Sequence, residues 1–326
     1  MPKTFTDLRR HALNGETMGT RWSALFHKPA EFDVAPVAAA MAAEVAEVDQ
    51  QMSTWKPDSD LMRLNATPTG VWVECPQHLM VVLETALSIG RASGGAFDIG
   101  VGDAVSAWGF GPATLDPARI QAALSERGRP AHDILELDLS GRRVRKSAPV
   151  TLDLSGIAKG YGVDRLTDVA RRFQISDALL SIDGELRGIG LKPDGSPWSI
   201  AIEDPDYSVR KPLAIVDLHD AAVATSGDYR HWIDVGTKRL SHTMDPTRGG
   251  PLARSPASVT VIAETCMAAD AWATVLMVKG SSEGVELARK MRLNALFVER
   301  DGDGLRQTPV GPLFEPADRH PAAARF

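Results

Sequence analysis

Between Asp177 and Ser241 the chain is a succession of short strand-like stretches and turns, with no segment carrying a helical apolar period. Helices are readable on both sides of that run. This ordering limits the fold more than any other feature. Strict strand–helix–strand alternation would build a doubly wound parallel sheet, whereas gathered strands with helices set around them build an α+β protein. The expected fold is therefore α+β, with mixed, largely antiparallel sheets and packed helices.

Val37, Met41, Val45, Val48 and Met52 recur at three- and four-residue spacing behind Asp33, which is suited to capping, and predict a helix from Asp33 to Met52. Pro76 opens a second helix through Leu79, Leu83, Leu87 and Gly90. Asp116-Pro117 opens a third that ends at Gly128. Strand-like content runs from Met18 to Phe26, and Ile134 to Val144 reads as a hairpin around Ser140-Gly141. Val150 to Leu154 reads as a short strand entering a glycine-containing turn, followed by a helix through Leu166, Val169 and Phe173. A strand from Val259 to Ala263 precedes helices from about Met267 to Val278 and from Ser282 to Met291. The strand Ala295 to Glu299 is expected to close the fold. Residues 1–15 read as an N-terminal segment, 16–307 as one domain without a clean internal boundary, and 308–326 as a loose tail.

Hydrophobic residues make up 44% of the 326-residue chain and charged residues 24%, a globular composition. The 36 basic and 42 acidic residues leave a net charge of −6 with no basic run, so nothing here favours nucleic acid. An anionic ligand would need local backbone amides, a lysine or a metal. Cys75 and Cys266 are too few and too far apart for a disulfide scaffold or a cysteine zinc site. No stretch meets the requirement of about 18 apolar residues for a membrane span. The first residues, MPKTFTDLRRHALNGETMGTRW, have no apolar run behind their basic residues, so a cytoplasmic protein is expected.

The common nucleotide, zinc-protease and serine-hydrolase signatures are absent. Asp270 and Thr274 lie four residues apart on a predicted helix and share a face, where carboxylate and hydroxyl can both bind a hard cation. Taken alone, the pair fits an ordinary helix surface better. The stretch from Leu152 to Tyr161 is a strand, a turn and a helix start, where amides and Lys159 suit a phosphate; a plain connection fits equally well. His242 suits an acid–base role, although a structural histidine is the commoner case. Trp55 and Phe97 each suit stacking on a planar ligand or packing in a core.

In combination these stretches carry more. Glu16–Thr20, Met52–Trp55 through Asn65, Gly94–Asp98 with Trp108–Gly111, Asp153–Asp164, Asp183–Glu185, Ala224–Tyr229, Ser241-His242 with Asp245-Pro246, and Ala269-Asp270 through Thr274 occur in that order. The set closely resembles the ApbE family of FAD:protein FMN transferases, formerly called thiamine biosynthesis lipoproteins, from about Glu16 to about Arg300. The resemblance implies an α+β fold and transfer of FMN from FAD to a Ser or Thr hydroxyl of an acceptor protein, with Mg2+ used and AMP released. Many relatives are exported lipoproteins, a pattern from which this N-terminus departs.

Carried over residue by residue, the resemblance implies Mg2+ ligands at the Asp270 and Thr274 side chains and the Ala158 carbonyl. Such a set leaves room for substrate phosphates around an octahedral ion. It implies flavin and adenine contacts at Met18, Trp55, Ala96, Phe97, Asp98, Ser155, Lys159, Tyr161 and Thr243. It makes His242 the group that takes or positions the acceptor proton. Ile99-Gly100, Asp183 and Thr243-Met244 stand where many relatives have Pro-Thr, Gly and two apolar residues. The acceptor is expected in trans. FAD hydrolysis to FMN and AMP, and non-catalytic FAD binding in an accessory role, are the alternatives.

Overall fold

The computed structural model describes residues 8–125, 128–230, 232–235, 238–302 and 304–314. The chain opens with a hairpin, β1 (Leu8–Thr17) and β2 (Thr20–Pro29), closed by Met18 and Gly19, both at positive φ (48° and 69°), the conformation that matches strand twist. Helix α1 (Ala35–Met52) follows, entered through Asp33, whose side chain accepts from the Ala35 amide. Then come α2 (Asp60–Ala66), β3 (Trp72–Glu74), α3 (Gln77–Ala92), α4 (Gly102–Ala107), α5 (Pro117–Ser125) and the one-turn α6 (Ala131–Ile134). Strands β4 (Leu135–Asp138) and β5 (Arg143–Lys146) make the hairpin expected around Ser140-Gly141, with β3 on the far side of β5.

Helix α7 (Ala158–Arg172) leads into the strand-rich run: β6 (Ala178–Ile182), β7 (Glu185–Ile189), β8 (Trp198–Glu203), β9 (Pro212–Leu218), β10 (Ala221–Gly227), β11 (Trp232–Val235) and β12 (Lys238–Ser241). The short strands β13 (Met244–Asp245) and β14 (Gly250–Pro251) precede β15 (Ser258–Ala263), α8 (Cys266–Lys290), β16 (Asn294–Asp301) and β17 (Gly304–Val310). Among the described residues every strand pair is antiparallel, so the α+β expectation holds.

Eight strands form the main sheet, in the order β1-β2-β6-β7-β10-β15-β16-β17. Its two faces are buried differently, as the period of two along each strand requires. Trp22, Ala24, Phe26, Leu180 and Ile182 face Val37, Met41 and Val45 of α1 and Val163, Leu166 and Val169 of α7. Val259, Val261, Ala295 and Phe297 face α8. The alternating residues Val223, Ile262, Leu296 and Val298 pack instead on Trp198, Ile202, Val216 and Leu218 of the β8–β9 hairpin. The sheet is thus sandwiched between helices and a hairpin.

Three expectations are corrected. Val150–Leu154 is extended but joins no sheet. Residues 1–15 are not a separate segment throughout, because β1 begins at Leu8. Residues 308–310 are not loose, because β17 runs through them and lies outside the strand expected to close the fold; residues 315–326 of the tail lie outside the described residues. The two C-terminal helices are both present as expected, as the two arms of α8 separated at Gly280, whose φ of 69° and ψ of 177° break the helical path. β1 and β17 escape sequence reading for one reason. Both are sheet edges with a single fully buried residue each, Thr17 and Val310, so neither carries the apolar alternation that marks an inner strand.

Candidate functional site

A cleft of about 890 Å³ opens between the start of α7, the middle of α8, the 96–101 turn and the β8–β9 hairpin. Its inner wall is built where α7 and α8 touch. A Cβ added at Gly160 would stand 2.4 Å from the Cys266 carbonyl oxygen and 2.8 Å from Asp270 Cβ, so only glycine permits this approach. The Gly160 amide belongs to the first turn of α7 and has no intrahelical partner. It donates to Asp270 Oδ2 at 3.0 Å. One turn further along α8, Thr274 Oγ1 lies 3.3 Å from Ser226 Oγ of β10. Gly156 is pressed against both Thr274 and the Phe97 ring. Asp270 and Thr274 therefore face the start of α7, as their i, i+4 spacing predicts.

The start of α8 is fixed by another residue of α7. Asp164 accepts from the Cys266 and Met267 amides, each at 2.9 Å, and pairs with Arg187. Thr265 caps the same end by accepting from the Ala268 amide.

Charge in this wall is unbalanced. Asp270 and Glu185 are both buried, and Lys159 is the ammonium between them, 2.9 Å from Glu185 Oε1 and 3.5 Å from Asp183 Oδ2. Burial and the Glu185 charge push the Asp270 carboxyl up to about 7, against the opposing pull of Lys159 and the Gly160 amide. Burial likewise raises Glu185, with Lys159 opposing. Burial works against the Lys159 ammonium, but the charges of Glu185, Asp270 and Asp183 outweigh it and hold it above an ordinary lysine. Glu185 Oε2 is buried without a hydrogen-bond partner. A wall with two buried carboxylates, one lysine and one orphaned carboxylate oxygen fits a further cation. Carboxylate and hydroxyl oxygens are hard donors, the type that suits a hard cation.

The opposite side of the cleft carries Ile200–Glu203 of β8, with Arg210 and Lys211, and the loop after β12 that contains His242 and Thr243. The His242 ring meets the edge of Phe110 with centroids 6.3 Å apart. Ala96, Phe97, Asp98, Ser155, Lys159, His242, Thr243, Asp270 and Thr274 all line this one cleft. Asp98 does so with Oδ1 engaged by the Gly100 and Ala131 amides, at 2.8 and 3.0 Å, so that oxygen holds the turn.

Four expected residues are not among the lining. Ala158, at the first position of α7, lies between the lining residues Gly156 and Lys159. Met18 sits in the β1–β2 turn with its Cε beside Gly162 of α7. Trp55 is 67% exposed on the loop after α1, where its amide donates to Ser53 Oγ. The Tyr161 side chain points away because two residues on a helix turn it about 200° from Lys159. Its hydroxyl is bonded to His78 Nδ1 at 2.7 Å, on the side of α7 away from the cleft lining.

Sequence reasoning gave no site role to Ser226 or Asp153 and only a lesser one to Glu185; all three line the cleft. Asp153 is buried, its carboxyl raised by that burial, and it accepts from the Ser155 amide at 2.8 Å. Ser226 meets Thr274 across 48 residues of sequence, a separation with no local signal. Glu185 was visible only as the end of the Asp183-Gly184-Glu185 stretch.

The pattern of the ApbE family matches residues 18–297. The FAD:protein FMN transferase of Vibrio cholerae is 36% identical over 298 residues, which cover 90% of this chain and 89% of that protein. The FAD:protein FMN transferase of Escherichia coli K12 is 33% identical over 317 residues, 93% of this chain and 88% of that protein. Among solved structures, the flavin transferase ApbE from Vibrio cholerae aligns with a TM-score of 0.83 at 33% identity, covering 95% of this chain and 99% of that one. The apo form of the Pseudomonas stutzeri flavinyl transferase ApbE aligns at 0.82 and 34% identity, covering 93% and 95%. Family pattern, sequence and fold agree over nearly the whole length, and the chain belongs to the ApbE family.

Proposed function

We infer that this chain is an FAD:protein FMN transferase, moving FMN from FAD to a Ser or Thr hydroxyl of a separate acceptor protein and releasing AMP. The observation that carries the reading is the convergence of Asp270, Thr274, the start of α7 and His242 on one cleft. The acceptor oxygen forms a bond to the phosphorus on the riboflavin side, and the bond from that phosphorus to the bridging oxygen breaks. AMP leaves with the electron pair, and the hydroxyl proton passes to His242. A neutral imidazole suits that task near neutral pH.

Asp270, Thr274 and the Ala158 carbonyl would hold Mg2+. The ion supplies charge neutralisation at the pyrophosphate. Lys159, kept charged by Glu185 and Asp183, adds positive potential beside the same wall. Phe97, buried but lining the cleft, offers a ring face to a planar group. Positioning and charge stabilisation then account for most of the rate, as in other phosphoryl transfers. No helix among the described residues is long and apolar enough to cross a membrane.

The test is AMP release from FAD with Mg2+, with and without an acceptor domain bearing a Thr target. Acceptor-dependent release with flavin retained covalently on the acceptor is expected, and Asp270→Ala abolishes it. Equal release without acceptor would make the protein a pyrophosphatase. FAD binding with no release under either condition, for any of a set of acceptors, would make it a carrier.

A further inference from the structure

The extended segment Val150–Leu154 runs into the cleft but pairs with no strand. Its backbone groups are met in an alternating way. On one side, the Thr151 carbonyl accepts from the Gly102 amide at 3.0 Å, and the Asp153 amide donates to the Ile99 carbonyl at 2.8 Å. On the other side, both backbone groups of Leu152 go to one side chain. Asn65 Nδ2 donates to the Leu152 carbonyl at 2.9 Å, and the Leu152 amide donates to Asn65 Oδ1 at 2.8 Å. An asparagine amide thus replaces a neighbouring strand for one residue. Asn65 is itself held from behind: Lys146, buried, donates from Nζ to the Asn65 carbonyl at 2.7 Å. Asn65 lies on α2 and is not among the residues lining the cleft.

The wall of the site begins directly after Leu152. Asp153 holds the Ser155 amide, the Leu154 carbonyl accepts from the Ile157 and Ala158 amides, and α7 begins. Any slip of Leu152 along its own direction is passed directly to Ser155, Ala158 and Lys159. We propose that Asn65 is a positioning residue: its two-point clamp on Leu152 sets the register of the 153–159 loop and so the geometry of the cation and pyrophosphate side of the cleft. Without it, the Leu152 amide and carbonyl lose their partners in a largely buried place. The functional half of this proposal rests on the transferase reading.

The test compares Asn65→Leu, which fills the space without polar atoms, with Asn65→Asp, which keeps an acceptor for the Leu152 amide but no donor for its carbonyl. Met41→Ala, in the separate core under α1, serves as a variant destabilised elsewhere. Two quantities are read: hydrogen exchange of the 152–158 amides, and the Mg2+ concentration for half-maximal AMP release. In Asn65→Leu the exchange should accelerate and the half-saturating Mg2+ should rise about 10- to 100-fold, the usual penalty for losing a partner behind a ligand. Asn65→Asp should fall between that variant and the wild type. Met41→Ala should lower Tm and move neither quantity. Unchanged 152–158 exchange in Asn65→Leu overturns the clamp. A Met41→Ala protein that raises the Mg2+ requirement as much as Asn65→Leu overturns its specificity. If the exchange difference appears but the wild type releases no AMP with any acceptor, the clamp stands and the transferase reading falls.

Discussion

The two sides of the cleft are built on opposite principles. The α7–α8 side is tied to the interior at every point: Gly160 against Cys266, Asp164 across the first turn of α8, Asn65 on Leu152, Tyr161 on His78. Its charges are buried and incompletely balanced. The β8–β9 side is held only by the hairpin's inner face, where Trp198, Ile202, Val216 and Leu218 are buried against the sheet and Trp198 donates from Nε1 to the Ile189 carbonyl at 3.2 Å and stacks on His27. On its outer face and at its tip it exposes Tyr207, Val209 and Ile215 and carries ion pairs such as Arg210–Glu203 and Lys211–Asp204, with basic partners largely in solvent. The contrast teaches a division of labour. A group that must stabilise charge in a transition state gains from a rigid, water-poor setting. A wall that must admit FAD and part of another protein gains nothing from such rigidity.

The sharpest way to break this comparison is to cut the tie between α7 and α8. Asp164→Ala removes the acceptor for two amides at the start of α8 and leaves Arg187, itself buried, without its carboxylate. Breaking a buried pair from one side costs about 3–5 kcal/mol, read by denaturant unfolding. A cost below about 1 kcal/mol would mean that Asp164 is not what holds the helices together. Gly160→Ala ranks next. The added methyl must push the Cys266 carbonyl away, an overpacking cost of about 1–3 kcal/mol. Because the shift separates Asp270 from the start of α7, AMP release should fall by about 10²-fold, more than the stability loss alone explains.

A smaller effect tests how far the rigid side extends behind α7. His78 is held below its ordinary value of 6.5, mainly by burial and then by Arg165, with Glu47 and Glu44 opposing. A depressed folded-state histidine binds fewer protons than the unfolded chain as pH falls. Its contribution is therefore intact above the ordinary value and is lost as pH drops through the lower folded value. Tm measured between about pH 7.5 and 5 should fall more steeply in the wild type than in His78→Gln. Parallel slopes would remove His78 from the acid response of this wall.

The same contrast explains what could be read from sequence. Helices α1, α3, α7 and α8 are legible because each has one face in the core, which leaves a three- and four-residue period. The cation pair Asp270/Thr274 is legible as a spacing, since two helical residues four apart must share a face. The rest of the site is held by contacts distant in sequence. Asn65 and Leu152 are 87 residues apart, and Gly160 and Asp270 are 110 apart. Val150–Leu154 reads as a strand because it has a strand's alternation and a strand's hydrogen bonding, but its partners are an asparagine and a turn. Tyr161 lies in the stretch that builds the wall but on a face of α7 turned to His78, which a motif does not distinguish and a helical wheel does. Trp55 illustrates the opposite limit: an aromatic beside a helix end carries no local sign of which way it will turn.

The least disruptive substitution is the one that most sharpens the comparison. Ile215 is the most exposed large apolar residue described, at 71%, and lies across from Ala201 on the open face of the β8–β9 hairpin. It makes no part of the cores on either face of the main sheet. Ile215→Ser should change unfolding free energy by no more than about 0.5 kcal/mol, as for surface positions without a special role. Trp198→Ala, on the same hairpin, should cost about 3–5 kcal/mol, because its ring lies in the face packed against the sheet. If both substitutions cost the same, the outer face is held as firmly as the inner one and the two sides of the cleft are equally rigid. A large difference between them, measured by the same denaturant titration, places the hairpin's stability on the face it turns to the sheet and leaves its outer face free to meet an incoming chain.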